Sequence, residues 1–219
     1  VFSEVNRIKA ELRSKGEDII DFGMGNPDIP TPKHIIEKLN ETSHKPGTGR
    51  YSISRGIPGL RKAQVKYYQR RFNVDLDIEK EVIVTLGSKE GLANLAQAIT
   101  TPGDIILSPN PSYPIHPYGF IIAGASLRHL PTMEDGVFDP ELYLERLDRS
   151  IRHSSPKPIA LIVSFPSNPT AQVVTLDFYE ELVKIARKYK TYILSDLAYA
   201  EIYFDKNPPP SILQVNKAK

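Results

Sequence analysis

Residues 159–196 read IALIVSFPSNPTAQVVTLDFYEELVKIARKYKTYILSD, and this stretch indicates the fold class. It begins and ends with short apolar runs, at 159–163 and 191–194, of the length typical of buried strands. Between these runs, Thr175 can cap a helix whose apolar residues recur at helical spacing. Two strands joined through a helix predict a parallel pair with a crossover connection.

The same alternation extends toward the amino terminus. We predict further strands at 82–86, 105–107 and 126–130, and helices at 88–99, 114–123 and 139–151, the last one capped by Asp139. Three more helices are predicted ahead of these elements, at 3–15, 32–43 and 58–72. Strands that alternate with helices predict an α/β fold, with a mostly parallel sheet covered on both faces.

Composition and charge exclude several classes of function. The chain has 219 residues, 40% of them apolar, and no apolar run reaches the length of a membrane span. A net charge of +2 gives no basic face for nucleic acid, and we interpret the cluster Lys66, Arg70 and Arg71 as the solvent-exposed side of a helix. The lack of cysteine excludes disulfides and fits a cytoplasmic protein, and the five histidines show no metal-ligand spacing. We therefore expect no metal, membrane or nucleic-acid partner.

Polar residues follow the predicted strands, at the end where parallel sheets bind ligands. Ser88 and Lys89 begin a helix after the first strand, which suits either an N-cap or an anion site. Tyr113 and Asn168 follow two later strands and could be a packing aromatic and a turn residue. Asp196 ends an apolar strand, where a carboxylate is costly unless it is paired or solvated, so capping and function stay equally open.

Six short blocks, taken in their order along the chain, carry a resemblance to a known family. They are Gly25-Asn-Pro-Asp28, Tyr51 with Gly56-x-x-x-Leu60-Arg61, Gly87-Ser-Lys-Glu-Gly91, Asn110-Pro-Ser-Tyr-Pro-Ile-His116, Ser167-Asn-Pro-Thr170 and Asp196-Leu-Ala-Tyr199. The sequence resembles the class I and II aminotransferases, which have the aspartate-aminotransferase fold and use pyridoxal phosphate (PLP). Ala171 replaces a glycine of the wider family, a departure that the bacterial glutamate–pyruvate (alanine) aminotransferases share.

The resemblance implies a set of residues around the cofactor ring. Asp196 would pair with the pyridine nitrogen and keep it protonated, and His116 would lie behind Asp196 and orient it. Tyr199 and Asn168 would form hydrogen bonds with the phenolic oxygen of the ring, while Tyr113 would stack on the ring face. By this resemblance Asp196 and Tyr199 are the catalytic residues of the chain.

The resemblance also implies contacts with the phosphate and the substrate. The amides of Ser88 and Lys89, together with the Ser88 hydroxyl, would hold the phosphate. Tyr51 would reach the phosphate of a neighbouring subunit, which implies a homodimer with shared active sites. The backbone of Gly25 would lie against the substrate carboxylate.

The family pattern predicts how the chain is organised. Residues 1–44 would belong to the small domain and the dimer arm, and 45–219 would form the three-layer PLP-binding large domain of fold type I, left incomplete. The C-terminal small domain, the arginines that bind the substrate carboxylate and the lysine that forms an imine with PLP would all lie beyond Lys219. Two sheet strands would lie there too, so we expect the strand at 82–86 to lose its neighbours and these 219 residues alone to be inactive and poorly stable.

The activity that the resemblance implies is transfer of an amino group between an amino acid and a 2-oxo acid. Alanine and glutamate are the expected amino acids. Two alternatives stay open. One is a PLP-dependent lyase of the same fold, which would use the same blocks. The other is a catalytically dead remnant or a binding module.

Overall fold

The computed structural model describes residues 2–23, 25 and 28–219, and the chain divides into two compact units, Val1–Tyr51 and Ser52–Lys219. The first unit contains helices α1 (Phe2–Ser14) and α2 (Lys33–Ser43), which confirms the two helices predicted there. Exposed ion pairs such as Arg7 with Glu4 line one side of α1. The assignment of residues 1–44 to a small domain and dimer arm stays a prediction.

The second unit alternates helices and strands. In chain order its elements are α3 (Pro58–Phe72), α4 (Ser88–Ile99), β1 (Ile105–Asn110), α5 (Ile115–Ile122), β2 (Ser126–Pro131), α6 (Pro140–Arg152), β3 (Ala160–Ser164), α7 (Leu176–Tyr189), β4 (Tyr192–Asp196) and a 3₁₀ turn at Ile212–Gln214. Each helix predicted in this unit is confirmed to within two residues at either end. No helix among the described residues is long and apolar enough to cross a membrane.

The four strands form one parallel sheet in the order β2-β1-β3-β4. In β1 and β3, neighbouring side chains point to opposite faces of the sheet. Leu107 and Leu161 pack against α6 and α7, whereas Ile106 and Ile162 pack against α4 and α5. Helices therefore cover both faces, which confirms the predicted α/β class with a parallel sheet.

Side chains that cap helices support the predicted boundaries. The Asp139 carboxylate accepts hydrogen bonds from the amides of Glu141 (2.9 Å) and Leu142 (3.1 Å) at the start of α6. The Thr175 hydroxyl accepts one from the Phe178 amide (3.3 Å) at the start of α7. Both caps satisfy amides that a helix leaves without internal partners, so both helix starts follow from local sequence.

The strand predicted at 82–86 is absent, and this prediction is wrong. A strand needs a neighbour that completes its backbone hydrogen bonds, and none of the four described strands lies beside this segment. Its Val84 amide instead donates to the Arg55 carbonyl (3.1 Å), and the Val84 side chain packs against Gly56 so closely that a Cβ there would overlap with it. Leu86 is 92% exposed, as expected for an apolar run without a sheet partner.

We predict that Leu161→Ala lowers the free energy of unfolding by about 2–5 kcal/mol, because Leu161 is fully buried on the central strand β3 and its loss leaves a cavity. Leu86→Ala is the matched control, since Leu86 is 92% exposed, and it should change stability by less than about 0.5 kcal/mol. Urea unfolding of both variants gives the comparison. Equal effects of the two substitutions would contradict the described core.

Candidate active site

The candidate site lies at the carboxyl edge of the sheet, where the strand order reverses. The chain passes from β1 to β2 on one side and returns to β3 on the other side of β1. Parallel sheets bind ligands at such a point, beyond the carboxyl ends of the strands. A cavity of about 620 Å³ lies at this edge. Predicted site residues line it: Ser88, Lys89, Tyr113, Asn168, Asp196 and Tyr199.

A carboxylate that lines the cavity and a buried imidazole behind it form the polar centre of the site. Asp196 is the last residue of β4, and its side chain is 19% exposed. Its Oδ2 lies 2.9 Å from Nε2 of His116, which is fully buried in α5. Since an ionised carboxylate only accepts hydrogen bonds, Nε2 is the donor. The structure thus brings together the two residues that the family resemblance implied as a pair.

The surroundings of Asp196 favour its ionised form. The hydrogen bond from His116 lowers the pKa of the Asp196 carboxyl below its ordinary value and outweighs burial, which raises it. The Ala198 amide contributes a further hydrogen bond to Oδ1 at 3.2 Å. The cavity therefore presents a fixed negative charge at neutral pH, to which a cationic or N–H-bearing ring can bind.

Behind Asp196, one nitrogen of the imidazole forms no hydrogen bond with the described residues. Nδ1 of His116 is buried and has no hydrogen-bond partner among the described residues. In the described part of the chain, the His116 ring therefore forms its hydrogen bond with Asp196 alone. The ring can orient this carboxylate because no second hydrogen bond in the described part of the chain pulls it elsewhere.

Asn168 and Tyr199 form a second polar pair at the cavity. Asn168 follows β3 in the loop that begins after Ser164, and Tyr199 lies three residues beyond Asp196. The Asn168 Nδ2 donates to the Tyr199 hydroxyl at 3.1 Å. This bond leaves the phenol proton free to be donated to a ligand, so both side chains can form hydrogen bonds with the same ligand oxygen.

The start of α4 forms the anion-binding side of the cavity. Gly87 precedes the helix with a φ of 84°, in the left-handed region that favours glycine, and no side chain caps the first amides. Unpaired amides at a helix start attract anions. Lys89 adds a cation, and its Nζ lies 5.3 Å from the centre of the Tyr113 ring. The neighbouring Tyr113 hydroxyl raises the pKa of Lys89, which keeps the amine charged.

Two predicted site residues lie in the first unit. Gly25 is exposed there, and the side chain of Tyr51 is fully exposed at the end of that unit. Asn26 and Pro27, which belong to the same sequence block as Gly25, lie outside the described residues. The roles of Gly25 and Tyr51 stay predictions.

Sequence analysis missed the apolar wall of the cavity. Leu92 and Leu95 of α4 line it together with Ile193 of β4 and Tyr68 of α3. The helical spacing of Leu92 and Leu95 was a usable signal, but spacing alone predicts a face that packs on the sheet. These side chains line the cavity as well as contributing to apolar packing.

The parallel sheet with a paired carboxylate and an uncapped helix start at its carboxyl edge defines a domain of the aspartate-aminotransferase fold. A family model described as aminotransferase class I and II matches residues 17–219, and the chain belongs to this family. Members of the family use PLP. The resemblance inferred from the six sequence blocks is therefore confirmed.

Individual relatives show how much of the family length is present. Glutamate-pyruvate aminotransferase AlaC of Escherichia coli K12 is 52% identical over 219 residues, which are 100% of this chain and 52% of the relative. An LL-diaminopimelate aminotransferase of Aquifex aeolicus is 43% identical over 100% of this chain and 55% of its own length. A solved Thermus thermophilus aspartate aminotransferase mutant matches with a TM-score of 0.85 and 32% identity, over 97% of this chain and 54% of that one. The chain spans about half the length of the curated relatives it matches.

The residues at the cavity fit PLP. The Asp196 carboxylate is charged, held in place and open to the cavity, as a partner of a protonated pyridine nitrogen must be. The uncapped start of α4 suits the phosphate, and Tyr113 lies beside it with an aromatic face for a ring. No cluster of three potential metal ligands occurs in the part of the chain that the structure describes.

We predict that His116→Leu raises the pKa of Asp196, because the lowering hydrogen bond is lost and burial is kept. In the native chain the stability from the ionised carboxylate is complete above 3.8, the ordinary pKa, and is lost as pH falls through the lowered native pKa. In the variant, burial outweighs the remaining hydrogen bond from Ala198, so the carboxyl pKa lies above 3.8 and ionisation of Asp196 lowers stability as pH rises. Carboxyl ¹³C NMR titration measures the change, and the exposed His153→Leu is the control. An unshifted Asp196 titration in His116→Leu would refute the account of this pair.

Proposed function

We propose that the whole protein transfers an amino group between an amino acid and a 2-oxo acid, with PLP as cofactor and alanine and glutamate as the amino acids. The observation that carries this proposal is the Asp196–His116 pair at the cavity, with a bond of 2.9 Å. The name of the E. coli relative, glutamate-pyruvate aminotransferase, supports the choice of substrates. Ala171, in place of the family's usual glycine, supports it too.

Asp196 and His116 would control the charge of the cofactor ring. When bound, PLP acts as an electron sink for the electron pair released at the α-carbon of the amino acid, and it does so best with a protonated ring nitrogen. Asp196, ionised at neutral pH, would accept a hydrogen bond from that nitrogen and hold the proton on it. His116 would keep the carboxylate oxygen directed at the ring through its 2.9 Å bond to Oδ2.

Other residues at the cavity would bind and orient the cofactor. Tyr199 would donate its phenol proton to the phenolic oxygen of the ring, while Asn168 keeps the Tyr199 hydroxyl in position at 3.1 Å. The amides of Ser88 and Lys89 at the start of α4 would hold the phosphate, with the Ser88 hydroxyl as a further donor. Tyr113 would cover one ring face.

The substrate choice has one specific competitor. Several relatives between 36% and 43% identical are named LL-diaminopimelate aminotransferases, so LL-diaminopimelate is the alternative amino donor to assay. A PLP-dependent lyase of the same fold would use the same ring contacts but release a cleaved product. A dead remnant or binding module would turn over none of these compounds.

We predict that the full-length protein loaded with PLP converts alanine and 2-oxoglutarate to pyruvate and glutamate, and prefers alanine to LL-diaminopimelate. Chromatographic analysis of both products measures transfer and separates it from a lyase reaction. Asp196→Ala should reduce the rate by more than about 100-fold while the protein still melts cooperatively, because the ring proton loses its partner. Near-normal turnover in Asp196→Ala, or a preference for LL-diaminopimelate, would count against the corresponding part of the proposal.

We also propose a homodimer in which Tyr51 contacts the cofactor phosphate of the neighbouring subunit. Tyr51→Phe in the full-length protein should weaken PLP retention, measured by equilibrium dialysis, because one phosphate hydrogen bond is lost. Mixed dimers of Tyr51→Phe and Asp196→Ala subunits should regain activity, since one of the two sites then has both native residues. If no mixed dimer gains activity over its parents, Tyr51 does not cross the interface.

A further inference from the structure

The last turn of α3 holds the chain segment that follows β4. Arg71 lies in this turn, and its side chain is only 16% exposed, so its interpretation as a solvent-exposed residue is wrong. Its Nε donates to Glu201 Oε1 at 3.1 Å. One terminal nitrogen donates to the backbone oxygens of Ala200 (3.1 Å) and Pro209 (3.2 Å). A single guanidinium thus links two distant points of one loop, a geometry that the planar fork of arginine allows.

Tyr67, one helical turn before Arg71, completes this arrangement. Its hydroxyl donates to the same Glu201 carboxylate. Burial, together with this hydrogen bond, raises the pKa of Tyr67 to about 12, so the hydroxyl stays protonated at neutral pH. The Phe72 ring lies 4.6 Å from the Arg71 guanidinium carbon and covers one side of it. We call Tyr67, Arg71 and Glu201 the α3 clamp.

The segment held by the clamp carries a candidate catalytic residue. Residues 197–211 form neither helix nor strand, so their backbone depends on tertiary contacts. Tyr199 lies between two such anchors. Before it, the Ala198 amide donates to Asp196 Oδ1, and after it, Arg71 binds the Ala200 carbonyl. Ala200 is itself buried against Phe72.

The two anchors hold the backbone on either side of Tyr199, whose hydroxyl contacts Asn168 in the cavity. The Asp196 anchor belongs to the residues that bind the ring, whereas the Ala200 anchor comes from α3, outside the βαβ units. Release of Ala200 would free the carboxyl side of Tyr199 and loosen its 3.1 Å contact with Asn168. Small displacements of a group that must meet a ligand oxygen carry large costs in rate.

We propose that Arg71 is a positioning residue for the reaction, which acts through the Ala200 carbonyl to hold the Tyr199 hydroxyl against the cofactor. The effect on the reaction rests on the proposed function, whereas the hold on the segment does not. A purely structural role for Arg71 would change stability alone. A positioning role changes the Tyr199 segment and the electronic state of the bound cofactor.

The first test follows the segment itself, without cofactor. In the full-length protein, Arg71→Leu should make amide hydrogen exchange in peptides covering 197–210 about tenfold faster, because Ala200, Glu201 and Pro209 lose their partner. Arg70→Leu is the matched control, since Arg70 is the exposed neighbour on the same helix, and it should leave exchange unchanged. Unchanged exchange in Arg71→Leu would overturn the proposal.

The second test follows the bound cofactor. In the PLP-loaded full-length protein, Tyr199→Phe and Arg71→Leu should shift the pH midpoint of the cofactor absorbance in the same direction, each by about half a pH unit or more. Addition of Arg71→Leu to Tyr199→Phe should cause no further shift, since the two residues act in series. Additive shifts, or no shift in Arg71→Leu, would overturn the positioning role.

Milder variants keep the tests decisive if Arg71→Leu does not fold. Arg71→Lys keeps the charge but not the fork, and Glu201→Gln removes the charge at the other side of the clamp. Both should show the same changes in exchange and midpoint, at smaller size, and native behaviour of both would overturn the proposal. A full-length protein that binds no PLP would refute the proposed function and the role of Arg71 in the reaction, while faster exchange would still show that Arg71 holds the segment.

Discussion

The hydrogen bond between the Asp196 carboxylate and the buried His116 ring is the interaction on which the site depends. A carboxylate at the end of an apolar strand is unfavourable without a partner, and the imidazole makes its charged form favourable. The two residues are 80 positions apart, on β4 and on α5, the helix that follows β1. They meet because β1, β3 and β4 lie side by side in one parallel sheet and end at the same edge. The order of the strands therefore brings His116 to Asp196, and His116 keeps the Asp196 carboxylate ionised at the cavity.

Local sequence predicted those parts of the structure that local forces determine. Helix α7 is one example, because the residues that predict it, the Thr175 cap and the regularly spaced apolar side chains, all belong to the helix or directly precede it. The segment 82–86 is the opposite example. Its composition suits a strand, yet pairing depends on a neighbouring strand, and none lies beside it in the described chain. Strand propensity shows only that a segment fits into a sheet, and a strand still needs a neighbouring strand to pair with.

The same distinction explains what could be predicted of the site. The polar residues after β1, β3 and β4 could be found because all carboxyl ends of a parallel sheet share one edge. The role of each residue came from the family resemblance, since a turn asparagine and a ligand-binding one look alike in sequence. Neither the shared edge of the sheet nor the family resemblance indicated the role of Arg71. Its partners lie about 130 residues away, and most of them are backbone oxygens, which no side-chain pattern reveals.

We propose that Asp196 keeps a proton on the ring nitrogen of bound PLP. ¹⁵N NMR of the full-length protein, loaded with PLP that is labelled at this nitrogen, detects this proton. We expect a protonated nitrogen at neutral pH in the native protein and in a variant of an exposed histidine such as His153→Leu. In Asp196→Ala we expect this proton to be lost. An unprotonated nitrogen in the native protein, or a proton retained in Asp196→Ala, would show that Asp196 does not hold the ring proton.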